Sequence, residues 1–214
     1  NDDFTLLFWV CHSSPIANYI PHLCTINDKR NNIHIDFSLS FTDIIINVEG
    51  RDPIIFNYTC EPKKWFLLSI AFNNESYFQG AGEPNADSHY RSISVFINSK
   101  KLGNVYQDPI IFNPKLELKV NFGGLSGPPI FDLNEAMEQP SLVCQFSLYR
   151  KLKPDGITRL STMDREQYLP DFKPLFVFTS YDKGGSVELR NLVPNSPVCC
   201  HTYVHSLRPV SFAN

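Results

Sequence analysis

The sequence predicts an all-β fold, a sandwich or a barrel, on three observations. Apolar and polar residues alternate over several short runs, these runs recur about every 8 to 12 residues, and the best of them are rich in Ile, Val and Phe, which pack well on a pleated surface. The chain has 214 residues, 43% hydrophobic and 19% charged. That is enough to bury a full core in one domain, and a second domain is not required.

The elements follow in order. "FTLLFWV" near the start is strand-like, and "NIHIDFSLSF" (residues 32–41) is the cleanest signal: Ile33, Ile35, Phe37, Leu39 and Phe41 point one way, His34, Asp36, Ser38 and Ser40 the other. "DIIINVEG" repeats the alternation up to Gly50, and "DPIIFNYTC" starts another run after Pro53. "KKWFLLSIAF" is nearly continuous, as in a strand covered on both faces. Residues 73–90 are polar and rich in Gly, Pro and Asn, which predicts an exposed loop. "RSISVFINSKKLG" reads as a hairpin, followed by "NVYQDPIIF", "KLELKVNFGG", the loop "LSGPPIFDLNEAMEQP" and "SLVCQFSLYRKL". A short helix is predicted within "KPDGITRLSTMDREQYL", where Asp155 follows Pro154 and Ile157, Leu160 and Met163 recur at three-residue spacing. "PLFVFTS" and "SVELRNLV" can add strands, and the Pro-rich end from residue 194 predicts an extended arm or linker.

A net charge of −3 and a pI near 6.1 give no global attraction to nucleic acid or anionic lipid. No run approaches the roughly 18 apolar residues of a membrane helix. The start lacks a basic leader before its apolar stretch, so the chain reads as a fragment of a longer protein or a processed product. Six cysteines (Cys11, Cys24, Cys60, Cys144, Cys199, Cys200) could form three bridges, but their irregular spacing suits neither a metal cluster nor a compact disulfide framework; Cys60 and Cys144 are expected as buried thiols. The sequons at Asn57 and Asn74 occur at about the frequency chance predicts and do not report secretion.

The chemistry-bearing residues are sparse. Glycoside hydrolysis needs two carboxylates flanking the bond, but Asp36 and Glu117 stand isolated and are expected to face solvent. Among six histidines only His201 and His205 are close, in a Pro-flanked stretch unsuited to a helix, so no metal site is expected there. Asp132, Asn134 and Glu135 in one loop, and Asn85 with Asp87 in another, are the oxygen-rich candidates for calcium, and short acidic loops of this kind are ordinary surface. "NFGG" (residues 121–124) reads as a bulge or tight strand exit, and Trp9 and Trp65 as core. Tyr77, Phe78 and Tyr90 flank the long polar loop and are the candidate surface anchors for a partner. No catalytic residue, metal or cofactor is expected.

Taken together, "FTLLFWV", "KKWFLLSIAF", "RSISVFINSKKLG", "LELKVNFGG" and "LVCQFSLYRKLKPDGITRL" resemble the concanavalin A-like lectin/glucanase superfamily, which includes laminin-G and pentraxin domains. Within it, the order of a Trp-bearing strand, a long polar loop, the hairpin and the stretch from Gln145 to Pro154 looks most like the concanavalin A-like domain of BEACH (neurobeachin-like) proteins. The resemblance implies a two-sheet antiparallel jelly-roll β-sandwich over residues 1–170, with residues 171–214 adding strands and a C-terminal arm packed on the same domain. Where the family hairpin carries Asn-Gly or Asp-Gly this chain has Asn98-Ser99, where a positive φ at Ser99 would be strained, which points to a longer turn through Gly103. The alternating acids of the glucanases and the Asp/Asn metal array of legume-type lectins are missing.

Two functions follow as expectations. The first is a non-catalytic scaffold module of a large BEACH-type protein in vesicle traffic, autophagy or lysosomal sorting, cytoplasmic and peripheral to membranes, contacting other proteins or other domains of its own chain. The second is a secreted or luminal lectin-like domain that binds glycans.

Overall fold

The computed structural model describes residues 3–12, 22–28, 33–76, 89–107, 119–122, 141–150, 152–165, 167–182 and 187–196. Twelve strands are formed by these residues: β1 (Phe4–His12), β2 (His22–Asp28), β3 (Ile33–Leu39), β4 (Asp43–Val48), β5 (Ile54–Asn57), β6 (Trp65–Ser76), β7 (His89–Ile97), β8 (Lys100–Gln107), β9 (Lys119–Phe122), β10 (Ser141–Arg150), β11 (Pro174–Asp182) and β12 (Val187–Asn191). They build an antiparallel jelly-roll β-sandwich. A seven-stranded sheet runs β12-β11-β10-β1-β6-β7-β8, and a five-stranded sheet runs β5-β4-β3-β2-β9. β11 and β12 extend the larger sheet beyond β10.

Period-two alternation explains how the sheets meet. Phe4, Leu6, Phe8 and Val10 of β1, with Phe66, Leu68, Ile70 and Phe72 of β6, face Ile35, Phe37, Leu39, Ile44 and Ile46 of the smaller sheet in one apolar core. Aromatic rings line up along it. Phe4 lies opposite Phe72 and stacks on it at 4.5 Å, Phe8 lies opposite Phe146 at 4.8 Å, and Phe37 meets Phe72 edge-on at 6.1 Å across the two sheets. Each such ring removed from water contributes about 1.5–3 kcal/mol.

The other face of the seven-stranded sheet carries an apolar patch among buried polar residues such as Thr5, Ser69, Ser94 and Thr179, and a helix packs on that patch. Leu7, Trp9, Leu67, Phe96 and Tyr149 pack against Ile157 and Leu160 of α1 (Pro154–Ser161) and against Leu169. Two side chains on β10 hold the segment that follows: Gln145 donates to the Gln167 carbonyl at 3.1 Å, and the Tyr149 hydroxyl accepts from the Leu169 N–H at 3.3 Å. Burial of Tyr149 pushes its pKa up to about 12. Thus the "QFSLY" stretch of the sequence does local work in fastening the chain across the sheet.

Several expectations are corrected. The polar segment 73–90 is not all loop: β6 continues to Ser76 and β7 begins at His89, because the backbone ladder pairs Asn73 with Ser92 and Ser76 with His89 whatever the side chains are. Positive φ at the hairpin falls on Asn98 (54°) and not on Ser99. Asn tolerates the left-handed region, which spares serine that strain. The turn does not lengthen either: Ile97 pairs with Lys100, and the extra residue is absorbed by a bulge opposite Val95 and Phe96. Gly103, beside the bulge, lets the sheet edges approach, since a Cβ there would lie 3.1 Å from the Phe56 ring of β5. α1 stops at Ser161, where the Ser161 and Thr162 hydroxyls donate back to the carbonyls of Thr158 and Arg159. β2 was not anticipated.

Cys11, Cys24 and Cys60 are buried thiols. Burial raises the pKa of Cys60 to about 12 and, with the Asp36 charge as a lesser cause, lifts that of Cys24 well above its ordinary value. Cys144 lies in β10, and its side chain is outside the described residues, as are Cys199 and Cys200.

Candidate functional site

Among the described residues α1 packs on the seven-stranded sheet, and on the outer face of the five-stranded sheet polar residues fall into register. β2 and β3 bring Thr25 opposite Asp36, and β3 and β4 bring Asp36 opposite Asn47. β9 continues the row, with the backbone of Asn121 opposite Thr25. A carboxylate therefore stands at the centre of a polar row formed by Thr25, Asp36 and Asn47 across three strands.

The turns around β3 and β4 hold this register. Between them, the Asp43 N–H donates to Ser40 Oγ at 2.8 Å and the Ser40 N–H to the Asp43 carbonyl at 2.8 Å, closing a tight connection. At the opposite end the Glu49 N–H donates to the His34 carbonyl at 2.9 Å, and Gly50 turns the chain away with φ at 75°.

Asp36 is fixed from two sides. Thr25 Oγ1 donates to its Oδ1 at 2.6 Å and His34 Nε2 to its Oδ2 at 3.0 Å. The carboxylate retains 31% of its side-chain exposure and the imidazole 39%, so both stay within reach of a ligand. Asp36 was expected to be isolated; it faces outward, but within a hydrogen-bonded set. Period-two spacing was enough to place His34 beside it, whereas Thr25 comes from the unanticipated β2.

His34, Asp36, Asn47, Val48 and Glu49 line a shallow depression of about 320 Å³. Next to it the character changes. Ser38, Ile45 and Ile55 form the adjoining row, with Ile55 exposed over 54% of its surface. An acidic and amide-bearing hollow thus shares this face with half-buried Ile45 and exposed Ile55. Hydrogen bonding and apolar contact are both available on one face.

Nucleophilic catalysis is not what this set is built for. An activated hydroxyl must give its proton to the imidazole, but Thr25 gives its hydrogen bond to Asp36 instead. What remains is an oriented carboxylate that is still 31% exposed. Among the described residues, no three His, Cys, Asp or Glu side chains come close enough to hold a metal.

The anticipated anchors are placed only in part. Tyr90 has its backbone in β7 opposite Glu75, and its side chain lies outside the described residues. Tyr77 and Phe78 lie outside them altogether, as do Asn85, Asp87, Glu117, Asp132, Asn134, Glu135, His201 and His205. Trp9 is core, while Trp65 is half-buried with the Arg165 guanidinium 4.5 Å above its ring.

No protein-family model matches the chain, and no curated protein matches it either. Solved structures resemble it at low identity. The binding domain of botulinum neurotoxin serotype C1 aligns with a TM-score of 0.48 and 13% identity over 75% of this chain and 36% of that one. The binding domain of botulinum neurotoxin DC, in complex with rat synaptotagmin II, aligns with a TM-score of 0.48 and 12% identity over 96% of this chain and 53% of that one. A native heptameric SAP-like pentraxin from Limulus polyphemus gives 0.39 and 6% over 75% and 70%. The chain spans 36% of the length of the serotype C1 chain, and likeness at this level concerns the path of the strands alone.

Proposed function

We propose that the chain is a non-catalytic interaction module that offers the outer face of its five-stranded sheet to another protein or to another domain of its own chain. The observation that carries this reading is the asymmetry of the two faces. α1 and residue 169 pack on one, while the other holds a pinned carboxylate and, two strands away, exposed Ile55. Such a face combines an orienting polar group with an apolar anchor, as protein interfaces do.

The wider setting we propose is a BEACH-type scaffold in vesicle traffic, autophagy or lysosomal sorting, cytoplasmic and peripheral to membranes. Its support is the motif order from "FTLLFWV" to "KPDGITRL". The complete coding sequence tests it: a BEACH domain with WD repeats further along the chain is the expected result. A signal peptide with a membrane anchor would overturn the setting.

One observation favours a second reading, a secreted or luminal glycan-binding domain. Asp36 and Asn47 are opposed on adjacent strands within a hollow of about 320 Å³, and a carboxylate beside an amide suits the paired hydroxyls of a sugar. Screening the protein on a glycan array separates the two. Binding that is lost in Asp36→Ala would favour the sugar, and silence across the array would favour the protein partner.

A further inference from the structure

We propose that two basic turns at one end of the sandwich dock the protein on an anionic membrane surface. The turns are neighbours by register. Asn98, at the tip between β7 and β8, bonds to Leu67 of β6, so that tip lies alongside the start of β6, which the turn at residues 61–64 enters. Lys63 and Lys64 occupy one turn, and Lys100 and Lys101 follow the other. All four lysines are exposed, and among the described residues the carboxylate paired with them is Glu61, 2.8 Å from Lys64.

Shape decides between a membrane and an acidic peptide. Every residue at 61–64 and at 98–102 is exposed, so the two turns protrude as tips and do not form the walls of a groove. A plane of headgroups meets protruding tips more readily than an extended peptide does. Leu102, 37% exposed, follows directly on the two β8 lysines, which adds an apolar group at the depth of the lipid interface. Four lysines on a chain of net charge −3 make the attraction local and orienting.

The lysines have a competing role, since charged residues on an edge strand such as β8 also discourage strand pairing between molecules. The experiment distinguishes them. Partition of the 214-residue chain into vesicles of phosphatidylserine and phosphatidylcholine is compared with partition into phosphatidylcholine alone. The proposal expects binding to the anionic vesicles that weakens steeply with salt, as screening over about 10 Å requires. K100A/K101A should lower it by about 25-fold, at roughly fivefold per lysine, and K64A/K100A/K101A should reduce it further. R150A/K153A, which removes the same charge at the opposite end of β1, should retain it. The proposal is overturned by equal loss in R150A/K153A, by unchanged partition in K100A/K101A with self-association in its place, or by binding to polyglutamate without binding to vesicles.

Discussion

Asn98 closes the β7–β8 hairpin onto β6 through two bonds to one residue: its N–H donates to the Leu67 carbonyl at 2.7 Å, and its Oδ1 accepts from the Leu67 N–H at 3.0 Å. It does so at φ 54°. Asn98→Ala therefore loses an acceptor for a buried N–H, about 1–3 kcal/mol, and pays the left-handed penalty of about 1–2 kcal/mol besides. Asn98→Gly loses only the acceptor. Urea unfolding should place Asn98→Gly between wild type and Asn98→Ala, and the reverse order would contradict the geometry.

Gly156 sits within α1, where exchange for alanine ordinarily gains about 1 kcal/mol. Here an added Cβ would lie 2.6 Å from Leu152 Cδ1 and 3.2 Å from the Phe172 ring. Both neighbours belong to the cluster beneath the helix. Overpacking of this kind costs about 1–3 kcal/mol, so Gly156→Ala should lower the thermal midpoint. A raised midpoint would mean that the Leu152 and Phe172 side chains give way to the added methyl.

Ser69 is fully buried between Leu7 and Phe96, and its hydroxyl has no hydrogen-bond partner among the described residues. A buried hydroxyl without a partner costs about 1–3 kcal/mol. Ser69→Ala should stabilise the protein by about 1 kcal/mol, raising its melting temperature by roughly 2–4 °C. Destabilisation would indicate a hidden partner for the hydroxyl.

Alkaline pH should destabilise this protein through buried thiols and phenols, Cys60 and Tyr149 among them. Cys60 is raised from 9.0 to about 12, and Tyr149 from 10.0 to about 12, both chiefly by burial. The unfolded chain ionises these groups first. Their stabilisation is thus intact below pH 9 and is lost as pH rises through 12, with a slope of up to about 1.4 kcal/mol per pH unit for each group. Cys60→Ala and Tyr149→Phe should each flatten the urea-midpoint profile between neutral pH and about pH 11. An unchanged slope in both variants would show that other groups govern the loss.

The long apolar runs of β1, β3 and β6 were legible because burial on one or both faces imposes its period directly on the sequence. β2 was not: Leu23 and Cys24 are consecutive and buried, and the register slips between His22 and Cys24, which erases the alternation. With β2 went Thr25, so the sequence exposed half of the polar set, His34 and Asp36 on one face, without the cross-strand partner. Pairing is a property of register, and no local pattern encodes which strand lies next to β3. Likewise the reach of β6 to Ser76 depended on the ladder and not on the polarity of Asn73 and Asn74.

The central claim is that the outer face of the five-stranded sheet is the contact surface. Asn47 is exposed on it opposite Asp36, and Asp155 is exposed on α1, outside that face. Quantitative co-purification of partners with the tagged chain from cells, comparing wild type, Asn47→Arg and Asp155→Arg, addresses it directly. The account predicts that a defined set of partners is lost in Asn47→Arg and kept in Asp155→Arg. Full retention in Asn47→Arg, or loss confined to Asp155→Arg, would contradict it.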